Sequence, residues 1–124
     1  MGALERRGLE RIAAALAPVM LLGAWLGVAH AHAHLRASLP ADGSVLEASP
    51  PRIVLTLSEA AQITAAWIQK DGEPRRKLTR LPSTAAVRVS ITMPALAPGR
   101  YVFSWRALSA DGHIMPGQIH FSIR

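Results

Sequence analysis

The sequence predicts an all-β domain, a small antiparallel sandwich or barrel of about seven short strands that follows an export signal. Three observations predict it. Apolar and polar residues alternate in several short segments, Pro- and Gly-rich turns separate these segments, and no stretch with helical periodicity follows residue 31. The chain has 124 residues, enough for one small domain. It has no cysteine, which excludes disulfides, thiolate metal sites and thiol catalysis.

The first 31 residues predict a signal peptide. Three Arg and two Glu lie in Met1–Arg11, and the 18 residues of Ile12–Ala29 then carry no charge. Ala29-His30-Ala31 has the small-x-small form that signal peptidase favours, so cleavage is predicted after Ala31. An uncleaved membrane anchor is the alternative, because 18 apolar residues can just span a bilayer. A proline and two glycines weaken that alternative, and no charged cluster follows the segment.

Cleavage would leave a mature domain, His32–Arg124, which we expect to be periplasmic. Removal of three Arg and two Glu leaves 93 residues with 11 basic and 6 acidic side chains, a net charge of +5. Such a domain could meet an anionic membrane face or an acidic partner. Basic side chains cluster in Arg75–Arg80, but no aromatic residue interleaves them. We therefore expect no nucleic acid among the partners, and we expect a monomer.

The first four strands follow from turn residues and alternation. Leu35–Leu39 ends at a Pro-Ala-Asp-Gly-Ser turn. Arg52–Leu57 follows a Ser-Pro-Pro break and alternates, with its three large apolar side chains on one face. Ile63–Gln69 and Arg75–Arg80 flank an Asp-Gly pair, which favours a hairpin between them.

Three further strands complete the prediction. Ala86–Thr92 alternates, a Pro-Gly turn follows, and Tyr101–Leu108 places three aromatic side chains on one face. Gln118–Arg124 closes the domain with Ile and Phe on one face and polar residues on the other. Trp67 and Trp105 are interpreted as core aromatics.

Histidines are the candidates for chemistry. Three of the five, His30, His32 and His34, lie at the predicted cleavage site. His113 lies in a turn between two strands. His120 lies on the polar face of the last strand, where we interpret it as structural.

A chain that begins at His32 would offer its α-amine and its ring Nδ1 to one metal ion. These groups titrate at about 7.7–8.0 and 6.5, so a metal displaces few protons from them at neutral pH. Copper(II) prefers a tetragonal set of nitrogen and oxygen ligands. Asp111 and His113 are separated by Gly112 and could converge on the same ion. We therefore predict one copper(II) per chain.

The segments above resemble the CopC family of periplasmic copper-resistance proteins. The matching segments are His32–Leu35, Pro40–Ser44, Leu57–Glu59, Gly99–Tyr101 and Trp105–His113. The resemblance implies a seven-stranded Greek-key barrel of cupredoxin or immunoglobulin-like form. It also implies a copper(II) site made by an N-terminal His brace, an Asp and a second His, here His32, Asp111 and His113. Leu35 as the fourth mature residue agrees with cleavage after Ala31, and Glu59 is an additional candidate ligand.

Three features depart from the family pattern. Some relatives bind copper(I) in a Met-rich loop, but the mature chain has only Met93 and Met115, so no such site is expected. The Pro that directly follows the second ligand His in the family is displaced here to Pro116. His34 would be the third mature residue, and a chain with His in the third position (an x-x-His terminus) can also bind copper(II). We favour the brace because it needs no deprotonation of backbone amides.

The sequence thus predicts an exported copper(II)-binding protein that buffers or carries copper and is not an enzyme. The resemblance implies transfer to an inner-membrane importer of the CopD type. No nucleophile and base are spaced as hydrolysis requires. Two alternatives remain: a histidine-brace copper oxidase or monooxygenase, and a structural sandwich that binds no metal.

Overall fold

The computed structural model describes residues 33–124, and every regular element in that part of the chain is a strand. The predicted signal peptide, residues 1–31, and His32 lie outside the described residues. Residues 33–124 contain no helix long and apolar enough to cross a membrane. The strands are β1 (Leu35–Leu39), β2 (Ser44–Leu46), β3 (Arg52–Lys70), β4 (Arg76–Lys77), β5 (Ala86–Thr92), β6 (Gly99–Ser109) and β7 (Ile114–Ile123). The predicted all-β fold class is confirmed.

Strand β3 is the centre of the sheet, and its length corrects the prediction of two separate strands. Its 19 residues run without a break, and Ser58–Gln62 contains no Pro or Gly that would interrupt them. The strand instead absorbs extra residues in a bulge. Thr56 pairs with Arg88 of β5, but the next β5 pair joins Ala61 to Ala86. Five steps along β3 therefore face two along β5, and a bulge of this kind bends the strand.

Two strands share one edge of β3. Strand β5 pairs along the first half of β3 as far as Ala61, and β4 pairs with the second half. On the opposite edge, β1 covers the first half through Leu35↔Leu57, and β6 covers the second half from Ala61↔Ser109 onward. The start of β1 and the end of β6 consequently meet at the bulge.

Three elements at the margins of the sheet differ from the prediction. Strand β2 was not predicted, and it pairs with β7 in parallel, because a three-residue segment has too little alternation to be recognised. Strand β4 is two residues long because Leu78 turns into the core, and its amide donates to Ala66 O at 2.8 Å. Strand β7 begins at Ile114 and runs through Pro116 and Gly117.

The core contains the predicted apolar faces. Alternate residues of β3, β6 and β7 are buried in one cluster, which also includes Met93. The Tyr101 hydroxyl donates to Ala97 O at 2.6 Å and closes the turn before β6, as the tyrosine corner does in immunoglobulin-like domains. Trp105 is buried as predicted. Trp67 is only half-buried, which corrects its assignment to the core, and it lies on the outer face of the sheet.

Candidate metal centre

The predicted Asp-Gly-His element forms the tip of the β6–β7 hairpin. The amide of Ser109 donates to His113 O at 3.0 Å, so three residues, Ala110–Gly112, make the loop. Gly112 N donates back to Ser109 O at 3.0 Å, and the φ of Gly112 is +88°. This is a type I turn followed by a residue in the left-handed region, where Gly is favoured. The turn type therefore explains why Gly separates the two candidate ligands.

Asp111 and His113 contact each other across this turn. Nδ1 of His113 lies 2.8 Å from Oδ2 of Asp111, and both side chains are exposed. The other carboxylate oxygen, Oδ1, accepts a hydrogen bond from the Ser109 hydroxyl. Ser109 itself is buried, with 5% of its surface exposed. The hairpin thus fixes the Asp111 carboxylate from two sides.

These contacts set the charge and the tautomer of the pair. The Ser109 hydroxyl and the His113 ring hold the pKa of Asp111 well below its ordinary value, so the carboxylate is ionised at neutral pH. An ionised carboxylate only accepts hydrogen bonds, so Nδ1 of His113 is the donor. In a neutral imidazole the lone pair then lies on Nε2, the nitrogen that a metal would bind.

The N-terminal end of the described chain lies at the same edge of β3. His34 N donates to the Ser58 hydroxyl at 2.8 Å, and Ser58 N donates to His34 O at 2.8 Å. Three residues further along β3, Ala61 pairs with Ser109. Three residues span at most about 10 Å, and the bulge shortens this distance. The topology therefore brings the segment that leads to the predicted N-terminus close to the Asp-Gly-His hairpin.

Glu59 lies in the β3 bulge between these two attachment points. Its Oε2 is buried and has no hydrogen-bond partner among the residues that the structure describes. A buried carboxylate oxygen without a partner is costly unless another group neutralises it. This position agrees with its selection as an additional candidate.

His120 lies far from this site. Its amide donates to Asp42 Oδ1 at 2.7 Å, and its carbonyl accepts from Gly43 N at 2.6 Å. His120 lies seven positions after His113, a distance of about 23 Å along an extended strand. Its predicted structural role is supported, because these bonds attach the β1–β2 turn to β7.

Comparison with known proteins identifies the family. Residues 35–124 match the CopC domain. The chain belongs to the CopC family. It is 32% identical over 107 residues to Copper resistance protein C of Pseudomonas syringae pv. tomato, covering 78% of this chain and 84% of that protein.

Two solved CopC-family structures resemble this one. CopC from Methylosinus trichosporium OB3b has a TM-score of 0.66 at 24% identity, over 74% of this chain and 93% of that chain. PcoC, a methionine-rich copper resistance protein from Escherichia coli, has a TM-score of 0.58 at 27% identity, over 76% of this chain and all of that chain (100%). PcoC, like Copper resistance protein C of Pseudomonas syringae, is named for copper resistance, in agreement with the prediction that this CopC-family chain is not an enzyme.

The structure brings some predicted ligands of this CopC-family chain together and leaves others apart. Asp111 and His113 are in contact, and the main chain of His34 approaches along β3. Within residues 33–124, no three His, Asp or Glu side chains form a group that could hold a metal ion. The described pair is therefore part of a site at most, and His32 lies outside the described residues.

The role of Ser109 was not predicted from the sequence. Ser109 is an ordinary serine in the sequence, and only its position two residues before Asp111 at a strand end could have suggested that it fixes the carboxylate. Met115, one of the two methionines of the mature chain, is half-buried. Together with Ala33–Leu35 it lines a cavity of about 150 Å³ beside β7.

Proposed function

We propose that this chain is an exported copper(II)-binding protein that sequesters or carries copper in the periplasm. One observation carries the proposal: Asp111 and His113 contact each other at 2.8 Å in a turn that shares an edge of β3 with the start of the described chain. The turn thus holds two of the predicted copper ligands next to each other.

The donor set fits copper(II). His32, as the first residue after cleavage, would provide its amine and Nδ1, and His113 would provide Nε2. Asp111 adds an oxygen, so the ligands are nitrogen and oxygen, which copper(II) prefers. The buried Oε2 of Glu59, which has no hydrogen-bond partner within residues 33–124, also fits a nearby cation, and we include Glu59 as a supporting acidic group. Copper is the cargo of this site, bound once per chain.

The assigned cargo is copper(II) and not copper(I). Thioether sulfur is the ligand that favours copper(I). Of the two methionines in the described residues, Met93 is 7% exposed and belongs to the core. The relative PcoC, by contrast, is described as methionine-rich. A monomer that receives copper(II) and passes it to an inner-membrane transporter of the CopD type is the role we propose.

A copper titration of the exported protein tests this function. We expect one equivalent of copper(II) to bind and to give a type 2 electron paramagnetic resonance spectrum, without the intense blue band that needs a thiolate. No binding would support the structural alternative, and two tight sites would contradict the proposed donor set. Turnover with ascorbate and hydrogen peroxide would favour the oxidase alternative.

A further inference from the structure

Within residues 33–124, the excess of positive charge lies in one continuous segment. Residues 74–110 contain seven Arg and Lys and no Asp or Glu. The remaining described residues, 33–73 and 111–124, contain four basic and six acidic side chains. The net charge of the mature domain therefore comes entirely from the segment that forms β4, β5 and β6.

The fold places part of this charge around Trp67 on the outer face of the sheet. Trp67 of β3 pairs with Lys77 of β4 and with Ser104 of β6, so the three side chains share one face. The Cζ atoms of Arg75 and Arg106 lie 4.2 and 5.2 Å from the centre of the Trp67 ring. We call Trp67, Arg75 and Arg106 the Trp–Arg cluster.

The guanidinium groups of this cluster keep their capacity to bind an anion. A guanidinium near an aromatic ring uses its planar face for the cation–π contact, and its N–H donors point outward in the plane. Arg100 forms a salt bridge with Asp71 at 3.0 Å, whereas Arg75 and Arg106 form none with any carboxylate of residues 33–124. Both are exposed. No carboxylate of residues 33–124 therefore neutralises either guanidinium.

A groove beside the cluster leads toward the candidate metal centre. Its volume is about 370 Å³, and its walls include the cluster together with Pro116, Gly117 and Gln118 of β7. The same three β7 residues line the smaller cavity that contains His34. A partner bound in the groove would lie next to the N-terminal segment.

We propose that the Trp–Arg cluster and its groove form the docking surface for an acidic, carboxylate-rich segment of a partner protein. Arginine pairs with carboxylates through two parallel hydrogen bonds, and Trp and Arg are the residues that most often anchor protein interfaces. A concave surface with a central Trp suits a peptide segment better than a flat lipid surface. The docking inference is independent of copper, and only its use in copper transfer rests on the proposed function.

The metal-free exported protein is titrated with an oligoglutamate peptide, and binding is followed by calorimetry at low and high salt. We expect salt-dependent binding that weakens at least about tenfold in the double variant Arg75→Gln/Arg106→Gln, as loss of anchoring arginines does. The matched control, Arg52→Gln/Arg88→Gln, removes the same charge from exposed positions on β3 and β5 and should bind within about twofold of the parent, as expected for residues outside an anchor cluster.

Equal weakening in both double variants would show a non-specific charge effect and would overturn the proposal. Binding to phosphatidylglycerol vesicles without binding to the peptide would also overturn it, in favour of a membrane surface. Failure of the peptide experiment leaves the copper titration unaffected, so the two proposals fail separately.

Discussion

Nδ1 of His113 lies 2.8 Å from Oδ2 of Asp111, so the two candidate ligands are in direct contact. The two nitrogens of an imidazole point in different directions. A metal bound at Nε2 of His113 is therefore remote from the Asp111 oxygen that accepts from Nδ1. Asp111 can orient the ring, or it can bind copper after the ring turns, and these two roles predict different variant behaviour.

Replacement of Asp111 separates these roles. If the carboxylate orients His113, Asp111→Asn keeps a carbonyl acceptor for Nδ1–H and should retain most of the copper(II) affinity, whereas Asp111→Ala should lose about 10- to 100-fold. If Asp111 is a ligand, both variants should weaken binding similarly. In either case His113→Ala should weaken binding more than Asp111→Ala, because imidazole is the better copper(II) donor. His120→Ala, at the far end of β7, is the control and should leave the affinity unchanged.

Ser109→Ala should weaken copper(II) binding although Ser109 is not a ligand. Its hydroxyl fixes Oδ1 of Asp111, and removal of such a positioning group typically costs about 10- to 100-fold in metal affinity. The matched control is Ser104→Ala, on the outer face of the same strand. Competition titrations with a copper(II) chelator measure both. An unchanged affinity in Ser109→Ala would show that the hairpin holds Asp111 without the hydroxyl.

The position of the N-terminus should decide binding. A protein that retains Ala31 ahead of His32 should lose the brace, because the amine then belongs to Ala31. Retention of Ala31 also moves His34 from the third to the fourth position, so this variant cannot distinguish the brace from the x-x-His mode. His34→Ala can, since it should matter little for the brace and greatly for the x-x-His mode. Loss of copper in His34→Ala together with retention in His113→Ala would contradict the proposed site.

The Asp111 carboxylate should also make the stability of the metal-free protein depend on pH. Its pKa in the folded state is lower than in the unfolded chain, where an Asp titrates at about 3.9. The contribution of the Asp111 carboxylate to the free energy of unfolding is therefore complete above the unfolded-state pKa, and it is lost as the pH falls through the folded-state pKa. Urea unfolding should show Asp111→Asn to be slightly less stable than the parent at pH 7, with the difference shrinking only below about pH 4. A difference that disappears between pH 7 and 5 would contradict this assignment.

Gly117 should tolerate no side chain. It pairs with Trp105, and a Cβ at this position would lie 2.6 Å from Cε2 of the Trp105 ring and closer to Cζ2. Gly117→Ala should destabilise the fold by about 1–3 kcal/mol, as overpacking does, and should shift the tryptophan fluorescence. Gln118→Ala, at an exposed neighbouring position, should change neither. Thermal unfolding and emission spectra check both variants.

Alternation and turn residues were sufficient to predict most of the fold. The buried faces of β3, β6 and β7 follow the alternation, and Ala86–Thr92 has the predicted bounds. The continuity of β3 was not predictable from the local sequence, because the bulge depends on how β3 pairs with β5. In the site, the D-x-H spacing predicted that the Asp111 and His113 side chains would lie close together, and they do; that they bind copper stays a prediction. The Ser109 contribution depends on how the hairpin closes, which the sequence does not encode in a recognisable motif.

The bulge in β3 sets the distance between the two parts of the proposed site. His34 attaches at Ser58 and the hairpin attaches at Ala61, on either side of Glu59 and within the same strand. An insertion or deletion between these attachment points would change the shape of the bulge and with it their spacing, while each flanking half of β3 keeps its own partners.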